Sequence, residues 1–248
     1  MKKIFSLLLI LCLALSLVGC GEDEPEEKTV EELVDTAYYI LNSLENKGTP
    51  YQVEQSTVMT SDNSIYNTNA DASLNVEGKN ERMRVEIGEV ALEVTVIDGM
   101  GYFMLDNDGE INRYKEKTTD QSVAALAEIS KLAKPVEFKS EHFSAAEASY
   151  EGDGTWKVSV TSLNESGNAL LKEYLASFTS DSIEIVSAEL EYKFTKNKIT
   201  SVTMDIEYYP DGYSSPLSSV KNETEYSYDE VFVSIPDNAH LYENAQTE

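Results

Sequence analysis

Residues 83–96 read MRVEIGEVALEVTV, and their side chains alternate between apolar and polar in two consecutive runs. In the first run, polar residues separate Met83, Val85 and Ile87. In the second run, from Val90 to Val96, every other residue is again apolar. Successive side chains of a strand point to opposite faces of a sheet. Each run therefore predicts a strand with one buried face and one solvated face.

The same period of two returns later in the chain, in residues 188–194 and 202–208. Short polar turns such as Asp108-Gly109 and Asp153-Gly154 separate the runs. Asp-Gly pairs favour two-residue hairpin turns, so neighbouring strands are expected to be antiparallel. The acidic segment Asp106–Glu110 lacks the ligand spacing of an EF-hand calcium loop, and a polar hairpin turn is the preferred interpretation.

Three segments have helical spacing instead. The first begins at a capping box, Thr29 to Glu32, and predicts a helix from about Val30 to Glu45 with one apolar face. The second lies between Asp120 and Pro135, and the third carries apolar residues from Leu170 to Phe178. Long strands and a few helices predict an α+β fold, one large antiparallel sheet with about three helices on its apolar face. A closed barrel or two packed sheets is the alternative.

The N-terminus is typical of an export signal. Met1-Lys2-Lys3 is positively charged, and the apolar run in residues 4–17 is shorter than the roughly 20 residues that span a bilayer. A retained membrane helix is the alternative. The tetrapeptide Leu17-Val18-Gly19-Cys20 resembles the lipobox of bacterial lipoproteins. That resemblance implies cleavage before Cys20 and attachment of acyl chains such as palmitate to this residue.

The residues after Cys20 are acidic and contain no apolar side chain that could pack. Like charges keep such a segment extended, which predicts a tether between membrane and folded domain. The expected organisation is a signal peptide in residues 1–19, a lipidated cysteine and tether in residues 20–28, and a single domain in residues 29–248.

Composition excludes several classes of function. The chain has 248 residues and a net charge of −26, which argues against nucleic acid and against a broad grip on anionic lipid. Its two cysteines are Cys12, inside the expected signal peptide, and Cys20, so no disulfide is expected. His142 and His240 have no second ligand nearby in sequence, and no phosphate-binding or nucleophile motif is present. We expect no enzyme activity, no metal and no cofactor, because the solvated faces of strands account for the many carboxylates first.

Tyrosine is unusually frequent, with 15 residues against a single tryptophan. Strand propensity alone favours tyrosine in these segments. The alternative is an amphipathic lining for a lipid-sized groove, with apolar walls and a few polar tips. The sequence leaves both interpretations open.

The order of elements from Thr29 to Tyr242 resembles that of lipoprotein carriers and lipid-binding lipoproteins of the LolA/LolB and LppX/LprG type. This resemblance implies an open half-barrel of about ten to twelve antiparallel strands around helices, with acyl chains bound on the concave side. It includes no residue-level binding motif, and the lipobox fits the membrane-anchored members. The segments that carry the resemblance are YQVEQSTVMT (51–60), YFMLDNDGEINRYK (102–115), WKVSVTSLNESGNALLKEYL (156–175) and YDEVFVSIPDNA (228–239).

We therefore expect a lipoprotein anchored to the extracytoplasmic face of a Gram-positive cell membrane, binding or carrying an apolar acyl-chain ligand. The alternative is a non-enzymatic cell-surface interaction or sensor module with no small-molecule ligand. The expected partners are the membrane, reached through Cys20, an apolar ligand and an unknown protein, with no nucleic acid. The residues expected to line the ligand cavity are apolar positions of the predicted helices and strands: Ile40, Leu44, Leu92, Val94, Leu126, Tyr192 and Met204.

Overall fold

The computed structural model describes residues 28–44, 49–61, 68–119, 133–176, 183–213 and 216–244. This part of the chain forms one sheet of 12 strands. The strands are β1 (Tyr51–Ser61), β2 (Thr68–Glu77), β3 (Asn80–Ile87), β4 (Val90–Ile97), β5 (Met100–Asn107), β6 (Glu110–Lys117), β7 (Phe143–Gly152), β8 (Thr155–Leu163), β9 (Glu184–Phe194), β10 (Ile199–Tyr213), β11 (Ser218–Ser227) and β12 (Glu243–Asn244).

The strands follow the spatial order β12-β6-β5-β4-β3-β2-β1-β11-β10-β9-β8-β7. All pairings are antiparallel except the short contact of β12 with β6. Two meanders, β1 to β6 and β7 to β11, are joined at the centre by β1 and β11. In the described residues β7 and β12 end the sheet without pairing to each other, so the predicted open antiparallel sheet is confirmed and closure into a barrel is not observed.

The predicted Asp-Gly hairpin turns are confirmed. Asp108 and Gly109 have φ of 52° and 85°, and Asp153 and Gly154 have φ of 49° and 77°. Positive φ at both central residues is the geometry of a type I′ turn, whose twist matches that of the flanking strands. The turn chemistry therefore sets the register of the hairpins.

The described residues contain two α-helices, α1 (Val30–Ser43) and α2 (Glu165–Ala176). The capping box of α1 is present: the Glu32 amide donates to Thr29 Oγ1 at 3.2 Å, and the Thr29 amide donates to Glu32 Oε2 at 3.0 Å. Helix α2 begins after Asn164, whose side chain accepts a bond from the Gly167 amide. The helix predicted between Asp120 and Pro135 lies almost entirely outside the described residues.

Both helices pack on the same face of the sheet, which we call the inner face. Helix α1 contacts β7, β8 and β10, and α2 contacts β8 and β9. One apolar cluster lies beneath them, and a second, smaller cluster lies on β1 to β4 around Leu74, Met83 and Val94. No helix in the described ranges is both long and apolar enough to cross a bilayer.

The expectation of one buried and one wet face fails on β4. Outward-facing Glu93 and Thr95 are only 7% and 0% exposed. The C-terminal segment, residues 228–244, runs over this outer face: Tyr242 stacks edge-on against Tyr102, and its hydroxyl bonds with Arg113. Local alternation could not predict this cover, because the segment that supplies it is distant in sequence.

Candidate functional site

Inward-facing side chains form continuous rows across the strands, because the register is regular. One row begins in the large cluster beneath the helices, crosses the middle of the sheet and ends near its β6 edge. Its members are Val158, Tyr192, Val202, Thr224, Gln55, Ala72, Val85, Leu92, Leu105 and Asn112. The row connects a closed core at one end with an open surface at the other.

The open end of the inner face is apolar. Along β3 the exposed fraction rises from 0% at Met83 to 8% at Val85 and 46% at Ile87. Leu105, on β5, is 42% exposed. We call this surface the apolar floor, and it consists of Val85, Ile87, Val90, Leu92, Phe103, Leu105 and Tyr114. Ile87, Val90, Leu105 and Tyr114 of this group are exposed to solvent.

Two residues of the apolar floor, Phe103 on β5 and Tyr114 on β6, form an aromatic pair. The rings of Phe103 and Tyr114 are stacked, with centroids 4.7 Å apart and planes 7° from parallel. Phe103 lies against Gly101, where an added Cβ would be 2.7 Å from the ring. Glycine at position 101 therefore leaves room for the Phe103 ring to pack directly against the backbone of its own strand.

A small cleft lies between α1 and β1, and β2 separates β1 from the nearest strand of the apolar floor, β3. Its volume is about 80 Å³, well below the roughly 300–1,000 Å³ of pockets that enclose drug-sized ligands. Asn42 Nδ2 donates to Glu137 in its wall. A long apolar ligand would have to lie on the open floor rather than inside this cleft. The cleft is lined by Leu41, Asn42, Leu44, Tyr51, Val53, Lys134, Pro135, Glu137 and Tyr226.

A buried polar quartet separates the large core from the apolar floor. Gln55 and Thr57 of β1 face Thr224 and Asn222 of β11, and all four are at most 6% exposed. Asn222 Nδ2 donates to Thr57 Oγ1 at 3.0 Å, and the Thr224 hydroxyl lies 2.9 Å from Asn222 Oδ1 and 3.2 Å from Gln55 Oε1. Polar side chains can be buried at low cost only when they form such hydrogen bonds. The four side chains therefore hold β1 and β11 in one register.

The outer face of β1 to β3 and β11 carries an acidic depression of about 450 Å³. Its side chains include Glu54, Asp71, Glu223 and Glu225, and Arg84 pairs with Glu86 at its side. Its charged lining does not suit an apolar chain. The described residues contain no group of three or more acidic, His or Cys side chains placed to hold a metal ion.

The structure places the predicted lining residues in two locations. Ile40, Tyr192 and Met204 are buried in the large cluster beneath the helices. Leu92 is on the apolar floor, and Val94 and Leu44 pack in the smaller cluster beside it. Leu126 lies outside the described residues. Their role in lining a ligand site stays a prediction.

Sequence reasoning missed the exposed part of the floor. Ile87, Val90 and Leu105 were recognisable as members of alternating runs or of a predicted hairpin. Nothing local indicated that they lie beyond the reach of the described helices. It also missed the polar quartet, although Gln55 and Thr57 are in phase with the buried Tyr51 and Val53.

Buried tyrosines predict a loss of stability in alkali. Burial raises the pKa of Tyr174 from 10.0 to about 12. The unfolded chain therefore loses this proton at lower pH than the folded chain. The stability that protonated Tyr174 contributes is fully present below about pH 10 and is lost as the pH rises towards about 12. Between about pH 10 and 12 the free energy of unfolding should therefore fall with rising pH. We expect this slope to be less steep in Tyr174→Phe, by up to about 1.4 kcal/mol per pH unit.

Urea unfolding at several pH values between about 9 and 12 measures this slope. Tyr39→Phe is the control, because Tyr39 is 74% exposed. The same slope in the Tyr174 variant and the unmodified chain would contradict the assignment.

No protein-family model matches the chain, and no curated protein sequence matches it. Solved structures that it is similar to include LprF from Mycobacterium bovis, at 12% identity and TM-score 0.33, covering 82% of this chain and 97% of LprF. A LolA superfamily protein from Nitrosomonas europaea has 10% identity and TM-score 0.25, and the match covers 82% of this chain and 96% of that protein. A DUF1329 family protein from Desulfovibrio piger has 8% identity and TM-score 0.28, with 85% and 96% covered. Proteins of the kinds that the sequence resembles are thus among the similar solved structures. Identities and TM-scores this low carry no argument about ligand or partner.

Proposed function

We propose that this protein is an extracytoplasmic lipoprotein, anchored to the membrane through Cys20, that binds an acyl chain on the inner face of its sheet. The observation that carries the proposal is the apolar floor. Ile87, Val90 and Leu105 are each more than two-fifths exposed, on a face whose other end is buried beneath the helices. Large exposed apolar patches commonly mark binding sites in proteins. No catalytic role is proposed.

The anchoring part of the proposal rests on the sequence. The lipobox-like tetrapeptide ending at Cys20 lies outside the described residues, and so does the acidic tether in residues 20–28 except for Lys28. In this proposal the signal peptide, residues 1–19, is removed and the domain in residues 29–248 is held above the membrane. Two or more acyl chains would give stable attachment, whereas one alone binds only marginally.

Lipid extraction tests the ligand. A chain lacking residues 1–20 keeps every described element and can be purified from its native host without the anchor. We expect native mass spectrometry to find a bound species that organic extraction releases as a lipid, and we expect an uncharged apolar probe to bind. A protein that carries no lipid from its host and binds no probe would overturn the ligand proposal.

The alternative is a surface module that meets a partner protein and holds no small ligand. Three exposed apolar side chains on the C-terminal segment favour it: Phe232, Ile235 and Leu241 are 67%, 51% and 53% exposed. Absence of any ligand in the extraction experiment would favour this alternative over lipid binding.

A further inference from the structure

The strands that form the apolar floor carry their cations on one face of the sheet only. In β3 and β6 the alternation places every cationic side chain on the outer face. Arg82 and Arg84, for example, both reach the outward-facing Glu93. The register gives the same assignment to the cationic residues of β6, because they pair with outward-facing positions of β5. The outward cations are Arg82, Arg84, Arg113, Lys115 and Lys117.

The inward positions of the same strands carry the opposite charge. Within the described strands β2 to β6, the inward-facing charged residues are Glu81, Glu110 and Glu116, and no Lys or Arg faces inward. Glu110 is exposed and pairs with Asn107. Asn107 is the next inward-facing residue of β5 after the floor residue Leu105. Glu116 lies two residues from Tyr114, and after burial its charge is the next cause that raises the pKa of the Tyr114 hydroxyl. Carboxylates thus stand at both ends of the floor along β6.

One cation on the helix side of the sheet belongs to a different site. Lys134 lines the small cleft under α1, together with Glu137. That cleft lies across the sheet, next to β1, whereas the carboxylates of Glu110 and Glu116 border the floor on β6. An anionic head group on the floor would therefore lie near the carboxylates of β6, while the cations of these strands lie on the opposite face of the sheet.

From this arrangement, and on the basis of the proposed function, we infer that the apolar floor selects amphiphiles by head-group charge: it binds acyl chains with uncharged or cationic heads and discriminates against anionic heads such as carboxylates and phosphodiesters. The chain gains contact with the floor whatever its head. The head then lies near Glu110 or Glu116, where like charge repels it and water screens the repulsion only in part.

Three dodecyl amphiphiles with matched chains test the inference: dodecanoate, monododecanoylglycerol and dodecylammonium. Each is titrated below its micellar concentration, near neutral pH, against an uncharged naphthylamine probe bound to the chain lacking residues 1–20. We expect dodecanoate to bind about tenfold more weakly than the glycerol ester at low salt. Raising NaCl from about 20 to about 500 mM shortens the Debye length several-fold, so the difference should shrink.

The double variant Glu110→Gln/Glu116→Gln removes the carboxylates at the rim. We expect it to tighten dodecanoate binding several-fold and to leave the glycerol ester within about twofold. The matched control, Glu189→Gln/Glu225→Gln, removes the same charge from exposed positions on the outer face. It should leave the ratio between the two ligands unchanged.

The outcomes separate the inference from the proposed function. Dodecanoate binding as tightly as the glycerol ester at low salt would overturn the charge selection while leaving lipid binding intact. An equal effect of both double variants would also overturn it, because the selection would then come from net charge. Failure of all three amphiphiles to displace the probe, in a chain that carries no host lipid, would overturn the proposed function and this inference with it.

Discussion

Replacing Leu105 with aspartate is expected to weaken the binding of an uncharged dodecanoyl amphiphile by about tenfold to 100-fold. Fully burying a leucine side chain stabilises by about 1.5–3 kcal/mol, so covering the part of Leu105 that is still exposed contributes about 1 kcal/mol, and that contribution is lost. The new carboxylate must also lose water when the chain lies on it, which raises the cost further. Direct titration of monododecanoylglycerol measures the effect.

The control for Leu105→Asp is Val58→Asp on the outer face of β1. Leu105 is 42% exposed and Val58 is 40% exposed, so both substitutions place a charge at a comparably exposed strand position. Neither should change the free energy of unfolding greatly, since neither residue is fully buried. Equal binding by the two variants would show that the ligand does not contact the apolar floor.

Replacing Cys20 with alanine is expected to abolish acylation of the chain completely. The thiolate of cysteine is the nucleophile that such an alkylation needs, and alanine offers no substitute. Growth of the host with an alkyne analogue of palmitate, followed by fluorophore coupling and gel analysis, measures incorporation. The same samples are divided between detergent and aqueous phases to follow membrane association.

Cys12→Ala is the matched control, since Cys12 is the only other cysteine and lies inside the expected signal peptide. It should label as strongly as the unmodified chain. In the unmodified chain the mature protein is expected to begin with acylated Cys20. Label that persists in the Cys20 variant would contradict the lipobox interpretation.

The sequence predicted the elements of this fold because their signals are local. Alternation identified β3, β4, β9 and β10, and the capping box at Thr29 identified the start of α1. Asp-Gly pairs identified the hairpins, since only a few residue types adopt positive φ at low cost. One large antiparallel sheet with helices on one face followed from the order of these elements, whereas only the family resemblance implied that the sheet is open.

The candidate site was harder to predict because exposure is not local. Ile87 and Met83 occupy equivalent positions of one alternating run, yet one is 46% exposed and the other 0%. The difference depends on which remote elements cover each end of the strand. Thr95 is buried on the outer face for the same reason, under a segment that includes Tyr242. The restriction of the cations of β3 and β6 to the outer face, in contrast, was already encoded in the sequence and needed only the register to be recognised.

The pairing of β1 with β11 has a consequence for how the chain folds. It joins Thr60 to Ser219, which are 159 positions apart. The centre of the sheet therefore forms only after almost the whole chain is available, and a high average separation of contacts slows folding. Until then the β1 edge is an unpaired template for other strands. Late closure of this kind would suit the proposed export, because an exported polypeptide stays unfolded while it crosses the membrane.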